Sequence, residues 1–306
     1  MVCPVCRNRH DFKPLFPELC AASNYICEEC GLVFIADEKI SPDYYKSDGY
    51  FERSPNISLK EIFVSKNMLL NSGRKRISLI LKLLGQNPTH GLKVLDVGRG
   101  YGELLAVLKT DFGCDVLGVE PSEKAAKKGM KMFDIEISPL LLEEFVESST
   151  EQYDLVLCSH TLEHTSTPKT FLRNLQSLVK EDGFLYIEIP NVLCPTGGFD
   201  LNTFLYNEHL CNYSIFTLTK LIKESGMYIY SYSDKIFLKV VCAKNAFKEK
   251  QSIPFVSSAE IERYLTKYNS NYKFLNKIFV YLNKFEYLVR LIWYKIEDLL
   301  EVFTKH

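Results

Sequence analysis

Short apolar runs alternate with amphipathic segments along the chain from Lys93 onward. Compact runs of β-branched and aromatic residues predict strands, and apolar residues spaced three or four apart predict helices. The predicted strands are Lys93–Val97, Asp115–Glu120, Asp154–Ser159, Phe184–Ile189, Tyr228–Tyr232 and Phe237–Ala243, with a weaker run at Phe133–Ile137. The predicted helices are Glu103–Asp111, Ser122–Met132, Leu140–Ser148, Pro168–Lys180 and Ser214–Ser225, with Gly183 and Gly226 expected to end the last two.

This alternation of strands and helices predicts an α/β fold, in which a parallel sheet carries helices on both faces. The last two predicted strands, Tyr228–Tyr232 and Phe237–Ala243, leave no room for a helix between them. Neighbouring strands with a tight connection pair antiparallel, so we expect a hairpin at one edge of the sheet.

The segments on either side of this region have different patterns. Residues 41–90 form a connector that is rich in tyrosine over Ile40–Asn56 and helical in pattern over Leu59–Leu84. The tail, residues 246–306, has helical patterns at Ala259–Lys267 and Asn276–Phe303, and the second carries an apolar stripe fringed by Lys and Arg. The stripe is expected to pack on its own chain, on a second subunit or on a membrane surface. We therefore divide the chain into residues 1–40, 41–90, 91–245 and 246–306.

The composition is that of an ordinary globular protein, because 46% of the 306 residues are hydrophobic and 25% are charged. These values exclude wholesale disorder, collagen-like repetition and a membrane bundle. The formal net charge of −1 lacks the basic excess of a chain whose main partner is nucleic acid. The sequence shows neither a leader pattern at its start nor a long uncharged apolar run. We therefore expect a cytoplasmic protein, with peripheral contact to the inner face of a membrane as the alternative.

Four of the ten cysteines form two Cys-x-x-Cys pairs, Cys3/Cys6 and Cys27/Cys30. Two residues between thiolates let a tight turn direct both sulfurs at one tetrahedral ion, so the pairs predict a structural zinc ribbon over residues 1–40. Unligated core thiols are the alternative, and a redox role is disfavoured because neither pair follows a βαβ pattern. Four thiolates would leave no open coordination position, so we expect no chemistry at the metal. The remaining cysteines are predicted to be small apolar fillers: Cys20, Cys114, Cys158, Cys194, Cys211 and Cys242.

The first predicted strand runs into a glycine-rich bend and then a helix. Gly98, Gly100 and Gly102 permit positive φ and let a ligand lie against the backbone. Asp96 ends this strand, and Glu120 ends the next one, where a carboxylate can accept hydrogen bonds from two ribose hydroxyls. The glycine spacing differs from that of NAD sites, and the Gly-Lys-Ser/Thr phosphate cradle does not occur. A ligand with a ribose but no phosphates fits best.

Over about residues 92–244 the chain resembles the class I S-adenosylmethionine (SAM)-dependent methyltransferases. The similarity lies in Asp96–Gly102, Val119–Ser122, Tyr153–His164 and Val179–Asn191. This resemblance implies an α/β, seven-stranded Rossmann-like methyltransferase sheet, flanked here by the N-terminal zinc ribbon and the helical C-terminal tail. Arg99 stands where the family usually has a small residue, and we expect it to point to solvent. The residues that the resemblance implies for SAM binding are Asp96, Gly98, Gly100, Gly102, Glu120, Pro121, Ser159 and His160.

A second resemblance concerns the segment 203–214, which follows the fifth strand. This segment is similar to the His-Glu-His stretch of sugar C-methyltransferases of deoxysugar pathways, which share a four-cysteine zinc-binding N-terminal domain. Tyr206, Glu208 and His209 match that stretch, whereas Asn207 replaces its first histidine. The resemblance implies that His209 acts as the general base and that Glu208 orients it or binds a sugar hydroxyl. A surface loop whose histidine only packs is the alternative.

Two further sets of side chains are candidates for the same site. Related ribbon-bearing methyltransferases have a similar tyrosine-rich connector, which implies that Tyr45 and Tyr50 cover the cofactor; packing between domains is the alternative. His160 and His164 have the spacing of a zinc pair, with Glu163 between them, but the sequence shows no evident third ligand. The resemblance implies instead that this stretch lines the cofactor pocket or caps the turn, with His160 as a second polar group of the site.

Together these observations predict a SAM-dependent methyltransferase that acts on a sugar, in a nucleotide-linked or cell-surface glycan precursor, by O-methylation with His209 and Glu208. Sugar C-methylation is one alternative. Others are methylation of RNA gripped by the ribbon, O-methylation of a small molecule such as a quinone precursor, and a non-catalytic SAM-binding scaffold.

Overall fold

The computed structural model describes residues 1–9, 12–17, 23–36, 42–47, 65–85, 91–98, 100–195, 201–206, 208–245 and 253–271. Its strands are β1 Lys13–Leu15, β2 Asn24–Ile26, β3 Val33–Ile35, β4 Lys93–Val97, β5 Asp115–Val119, β6 Glu136–Ser138, β7 Tyr153–Ser159, β8 Val179–Pro190, β9 Cys211–Asn212, β10 Tyr228–Asp234 and β11 Phe237–Ala243. Its helices are α1 Pro42–Lys46, α2 Lys66–Leu84, α3 Glu103–Phe112, α4 Glu123–Phe133, α5 Leu142–Ser148, α6 Pro168–Ser177, α7 Leu201–Phe204, α8 Ile215–Glu224 and α9 258–271, and a 3₁₀ turn spans Leu162–His164.

The main sheet has seven strands in the order β10-β11-β8-β7-β4-β5-β6. Strands β8, β7, β4, β5 and β6 pair parallel, whereas β11 pairs antiparallel with both β8 and β10. The predicted α/β class, the seven-stranded sheet and the antiparallel edge hairpin are therefore confirmed. Because parallel strands end at one edge, the loops after β4, β5 and β7 meet there and can build a common site.

Both faces of this sheet are buried, as a parallel sheet requires. Successive residues of β7 point to opposite faces: Val156 and Cys158 belong to one hydrophobic cluster, and Leu155 and Leu157 to the other. Helices α2 and α3 pack closely at Gly73, where an added Cβ would lie 3.0 Å from the carbonyl oxygen of Glu103.

The boundary between α6 and β8 differs from the prediction. The helix ends at Ser177, and β8 begins at Val179, so Gly183 lies inside a strand rather than at the end of a helix. An added Cβ at Gly183 would lie 2.9 Å from the carbonyl oxygen of Tyr153, where the register of β7 and β8 shifts. The glycine is needed because the two backbones approach closely at this irregularity. The weak strand predicted at Phe133–Ile137 is also displaced, to β6.

The N-terminal region forms a second, small sheet in the order β1-β2-β3-β9. Its fourth strand comes from Cys211–Asn212, far along the chain, so residues 1–40 do not build this sheet alone. Ribbon residues such as Leu32 and Phe34 share one hydrophobic cluster with Ile187 of the main sheet. A short segment with little core of its own is thus packed on the larger domain.

Only the first part of the predicted helical tail falls within the described residues. Helix α9 spans 258–271, where Ala259–Lys267 was predicted, and buries Ile261 and Leu265 against the ribbon side of the molecule. The second predicted tail helix, Asn276–Phe303, lies outside the described residues, so its contacts stay a prediction. Across the described ranges, we find no helix with the length and apolar character needed to cross a membrane.

Candidate cofactor and acceptor site

The turn after β4 brings the backbone close to a ligand pocket. Gly98 has φ +75°, and its N–H donates to the carbonyl oxygen of Val119 over 2.7 Å. A Cβ at Gly98 would lie 2.4 Å from Thr161 Oγ1, whose hydroxyl hydrogen-bonds with the carbonyl oxygens of Val97 and Gly98. Gly100 and Gly102 also have positive φ, and Gly102 directly precedes α3. This turn therefore needs glycine for two reasons: its backbone has positive φ, and at Gly98 a side chain would collide with Thr161.

Glu120 follows β5 and is 6% exposed. Its carboxylate is oriented by the backbone, because Oε2 accepts from the Gly100 N–H over 2.6 Å and Oε1 accepts from the Ser122 N–H over 3.0 Å. The next residue, Pro121, leads into α4, where the Ser122 hydroxyl caps the helix. A carboxylate held at the end of the second strand is in the position that contacts a ribose in nucleotide-binding α/β folds.

A pocket lies beside these residues. Its wall includes the predicted residues Tyr45, Gly98, Glu120, Pro121 and His160. The wall also includes His164, which lies in the stretch expected to line the pocket. Further lining residues that the sequence analysis did not assign to the cofactor include Leu140, Leu142, Thr161, Thr165 and Phe171. The pocket thus combines backbone, one carboxylate, imidazoles and apolar surface, as small-molecule sites do.

Four predicted cofactor residues are not on that wall: Asp96, Gly100, Gly102 and Ser159. Asp96 is the penultimate residue of β4 and is 1% exposed. Gly100 donates its N–H to Glu120, and Gly102 packs against Ile135, whose Cδ1 lies 2.6 Å from an added Cβ. Ser159 lies deeper, where its hydroxyl oxygen accepts from Arg76. Their predicted roles toward SAM therefore stay predictions. Tyr50, Arg99 and Asn207 lie outside the described residues.

Arg76 is a residue that the sequence analysis missed. It extends from α2, and its Nη2 donates to Ser159 Oγ over 2.5 Å and to Glu188 Oε2 over 2.9 Å. The Tyr186 hydroxyl donates to the same carboxylate. Burial alone would raise the pKa of Glu188, but the charges of Arg76 and His160 outweigh it and lower that pKa to about 2. The group is therefore an ion pair at neutral pH.

A cluster of imidazoles and a buried carboxylate adjoins the pocket. His164 Nδ1 lies 2.7 Å from the carbonyl oxygen of Glu208. A carbonyl can only accept, so Nδ1 of His164 carries a proton. Glu163 is 1% exposed, and its Oε1 lies 3.4 Å from Nδ1 of His160. Ligand atoms of Glu163, His164 and His209 lie within 4.8 Å of one another, so these three side chains could together hold a cation.

His209 lies behind His164, with 5.1 Å between the ring centroids, and its other face contacts Tyr206 at 4.2 Å. A backbone turn positions it, because its N–H donates to the carbonyl oxygen of Tyr206. Burial and then the neighbouring His164 lower the pKa of His209 to about 3, although the charge of Glu163 acts in the opposite direction. His209 is therefore neutral at physiological pH. The second histidine of this cluster therefore comes from a distant segment of the chain, and His160 is not one of its three members.

The two tyrosines of α1 close this side of the site. The hydroxyl of Tyr44 donates to Glu208 Oε1 over 2.5 Å, and the hydroxyl of Tyr45 donates to the carbonyl oxygen of His164 over 3.3 Å. Burial, and then the charge of Glu208, raise the pKa of Tyr45, so its phenol stays neutral. The tyrosine segment that was predicted to cover the cofactor is thus in direct contact with the loop that was predicted to carry the general base. Within this contact, Glu208 pairs with Tyr44 rather than with His209.

The four ribbon cysteines converge on one point. Sγ of Cys3 lies 3.6 Å from Sγ of Cys30, Sγ of Cys6 lies 3.4 Å from Sγ of Cys27, and all four lie within 4.8 Å of one another. A tetrahedral zinc ion with bonds of about 2.3 Å places its sulfurs about 3.8 Å apart, so the cluster fits such an ion. Each pair has a turn that brings the backbone around, from the Arg7 N–H to the Cys3 carbonyl and from the Gly31 N–H to the Cys27 carbonyl.

The fold and the pocket define a class of protein, the SAM-dependent methyltransferase domains, because a seven-stranded sheet with an antiparallel edge carries a ribose-type carboxylate at the expected strand end. A family model described as "Methyltransferase domain" matches residues 70–232. The chain belongs to this methyltransferase domain family, and the predicted class is confirmed.

Curated relatives extend this result over shorter stretches. The ubiquinone biosynthesis O-methyltransferase of Bordetella avium (strain 197N) is 32% identical over 124 residues, which cover 38% of this chain and 49% of that protein. The mitochondrial ubiquinone biosynthesis O-methyltransferase of Bos taurus is 35% identical over 112 residues, covering 34% of this chain and 30% of that protein. The similarity thus spans less than half the length of these relatives. Neither name mentions a sugar.

Among solved structures, the plantazolicin methyltransferase BpumL in complex with a monoazolic desmethylPZN analog and SAH is similar to this chain. The TM-score is 0.51 and the sequence identity 14%, with 65% of this chain and 93% of that chain covered. At this identity the similarity concerns the fold alone, and it agrees with the observed sheet.

Proposed function

We propose that this protein is a SAM-dependent O-methyltransferase that acts on a small hydroxylated acceptor of the quinone-precursor type. The observation that carries the proposal is the pocket wall, which extends from Gly98 and Glu120 to the imidazole of His164. The first part suits the nucleoside of SAM, and the second suits an acceptor hydroxyl. The names of the curated relatives favour this acceptor over the sugar that the sequence analysis put first.

Methyl transfer from a sulfonium is an in-line displacement, so the protein must align donor and acceptor and take up the proton of the hydroxyl. SAM supplies the electrophilic methyl group. Glu120 would bind the ribose hydroxyls, and the Gly98 turn would hold the methionine end against the backbone. His164 would accept the proton at Nε2, since its Nδ1 already donates to Glu208. The buried carboxylate of Glu163, whose pKa the neighbouring imidazoles lower, would stabilise the resulting imidazolium.

This assignment differs from the predicted role of His209 as the base. His164 lines the pocket, whereas His209 lies one ring behind it and has a pKa of about 3, too low for a strong base at neutral pH. His164→Gln should therefore reduce kcat by about 10²-fold or more, the usual contribution of a general base. His209→Gln should reduce it less. The opposite ranking would restore His209 as the base.

The same side chains could act through a cation instead of by direct proton transfer. A divalent ion held by Glu163, His164 and His209 would lower the pKa of a bound acceptor hydroxyl. Turnover with and without a chelator, followed by addition of Mg²⁺ or Mn²⁺, separates the two routes. Activity that survives complete chelation supports the direct base.

A sugar acceptor is the second candidate. It is favoured by the placement of Glu208, whose carboxylate joins the Tyr44 hydroxyl next to the imidazole cluster, since carboxylates and tyrosines suit sugar hydroxyls. The two candidates predict different products from one assay. The protein is first titrated with SAM by calorimetry and then incubated with catechols, hydroxybenzoates and nucleotide sugars, and NMR locates the new methyl group. Absence of SAM binding would refute both, and a methylated phenol oxygen would support the first.

Zinc in the ribbon belongs to the same proposal, supported by the convergence of four thiols. Purified protein should contain about one zinc ion per chain, because four thiolates complete a structural site. Cys6→Ser should lower both the zinc content, measured by mass spectrometry, and the melting temperature. Cys194→Ser is the matched control, since this partly exposed cysteine lies outside the cluster. Equal zinc content in both variants would contradict a ribbon site.

A further inference from the structure

The segment that carries Tyr206, Glu208 and His209 is attached to the ribbon on both sides. We call residues 201–206 and 208–213 the acceptor loop. Before Tyr206, the carbonyl oxygen of Leu205 accepts from Nδ2 of Asn24, a ribbon residue that is 1% exposed. The acceptor loop is thus connected to β2 directly beside the imidazole cluster.

After His209, the loop joins the ribbon sheet itself. The N–H of Ile35 donates to the carbonyl oxygen of Leu210 over 3.0 Å, and β9 then pairs antiparallel with β3. Tyr206, Glu208 and His209 are therefore held between two ribbon contacts. A strand of only two residues has little pairing of its own, so its position depends on the strand it pairs with.

A third contact leads directly to the cysteine cluster. The hydroxyl of Thr217, in the first turn of α8, donates over 2.7 Å to the carbonyl oxygen of Cys30, and both residues are buried. Cys30 is one of the four convergent thiols. Helix α8, which follows the acceptor loop, is thus hydrogen-bonded through the Thr217 side chain to the same turn that would hold zinc.

The cofactor side is supported differently. The Gly98 turn is held by Val119 and Thr161, and Glu120 is held by Gly100 and Ser122, all residues of the main sheet and its loops. A small zinc ribbon draws much of its folding free energy from the metal, whereas the main sheet has its own core. Loss of zinc should therefore affect the two sides of the site unequally.

We propose that the ribbon is the positioning element of the acceptor side: Asn24, Ile35 and Thr217 hold the acceptor loop, so that an occupied thiolate site sets the rate of methyl transfer without setting SAM affinity. The turnover part of this proposal rests on the proposed function. Its structural part does not, because order in the acceptor loop can be measured without any acceptor.

The test uses the full chain, zinc-loaded and metal-stripped, together with Thr217→Val. That substitution keeps the shape of the side chain but removes the bond to Cys30, together with the 3.0 Å hydroxyl contact to Ser214 at the start of the same helix. Thr219→Val is the matched control, because Thr219 is a buried threonine of the same helix whose hydroxyl donates within that helix, to the carbonyl oxygen of Ile215. Thr217→Ser, which keeps the hydroxyl, is the rescue variant.

Amide hydrogen exchange is followed in peptides that cover residues 203–213 and residues 94–102. One lost hydrogen bond corresponds to about a fivefold rise in exchange, and we expect at least this rise in residues 203–213 of Thr217→Val, with no comparable change in residues 94–102. Thr219→Val and Thr217→Ser should behave as wild type. Metal stripping should give the same regional pattern with a larger amplitude.

Calorimetry and kinetics complete the test. Thr217→Val should keep the SAM dissociation constant within about twofold while kcat falls severalfold, in step with the faster exchange. The proposal is overturned if Thr217→Val and Thr219→Val exchange alike in residues 203–213, or if residues 94–102 loosen equally. If metal stripping melts the whole chain, the comparison of the two threonine variants decides. Failure of wild type to methylate any acceptor would refute the proposed function but leave the exchange result valid.

Discussion

Substitution of Gly98 by alanine tests the close approach between the glycine turn and the loop after β7. A Cβ at Gly98 would lie 2.4 Å from Oγ1 and 2.5 Å from Cγ2 of Thr161. Two costs add: about 1–2 kcal/mol for a non-glycine residue in the left-handed region, and about 1–3 kcal/mol for overpacking. The free energy of unfolding should therefore fall by about 2–5 kcal/mol. SAM affinity should fall as well, because both residues line the pocket.

Gly91 provides the control for the backbone cost alone. It has φ +87°, close to the +75° of Gly98, but an added Cβ would meet no described atom within 4 Å. Gly91→Ala should cost only the conformational part, about 1–2 kcal/mol. In Gly98→Ala/Thr161→Ala the steric part should disappear, so the double variant should be more stable than the sum of the single effects predicts. Urea unfolding measures stability, and calorimetry measures SAM affinity. If Gly98→Ala costs no more than Gly91→Ala, the steric argument is refuted.

Two further predictions concern carboxylates of the site. Glu120→Gln should weaken SAM binding by about tenfold or more, the loss expected for one charge-assisted hydrogen bond, whereas Glu123→Gln, at an exposed position of α4, should bind like wild type in the same calorimetric titration. Glu188 has a pKa lowered from 4.5 to about 2, so its stabilisation, about 3 kcal/mol, is complete above pH 4.5 and is lost as the pH falls toward 2. Urea midpoints measured between pH 6 and pH 2.5 should show this loss of stability. The loss should be smaller in Arg76→Met, because Arg76 supplies the main charge that lowers the pKa of Glu188. An unchanged dependence of the midpoint on pH in Arg76→Met would contradict Arg76 as the cause.

Periodicity in the sequence was enough to predict the class of fold, because it reports which faces of each element are buried. The apolar runs at Lys93–Val97 and Phe237–Ala243 coincide with β4 and β11, and the short link before the last strand required the antiparallel edge. The glycine turn after β4 and the carboxylate after β5 could also be predicted from the sequence, because backbone conformation and position at a strand end are local properties.

Only the tertiary structure decided which distant residues meet. His164 and His209 are brought together by a loop that leaves no periodic signal. Arg76 reaches Glu188 from α2, for which the pattern predicted only a helix within Leu59–Leu84. The prediction that Gly183 ends a helix was wrong, because the close approach of β7 and β8 cannot be inferred from the sequence around Gly183 alone. Likewise, two residues at Cys211–Asn212 complete the ribbon sheet. Whether two distant segments pair depends on how both of them pack. The hydrophobic pattern of one segment contains no information about its partner.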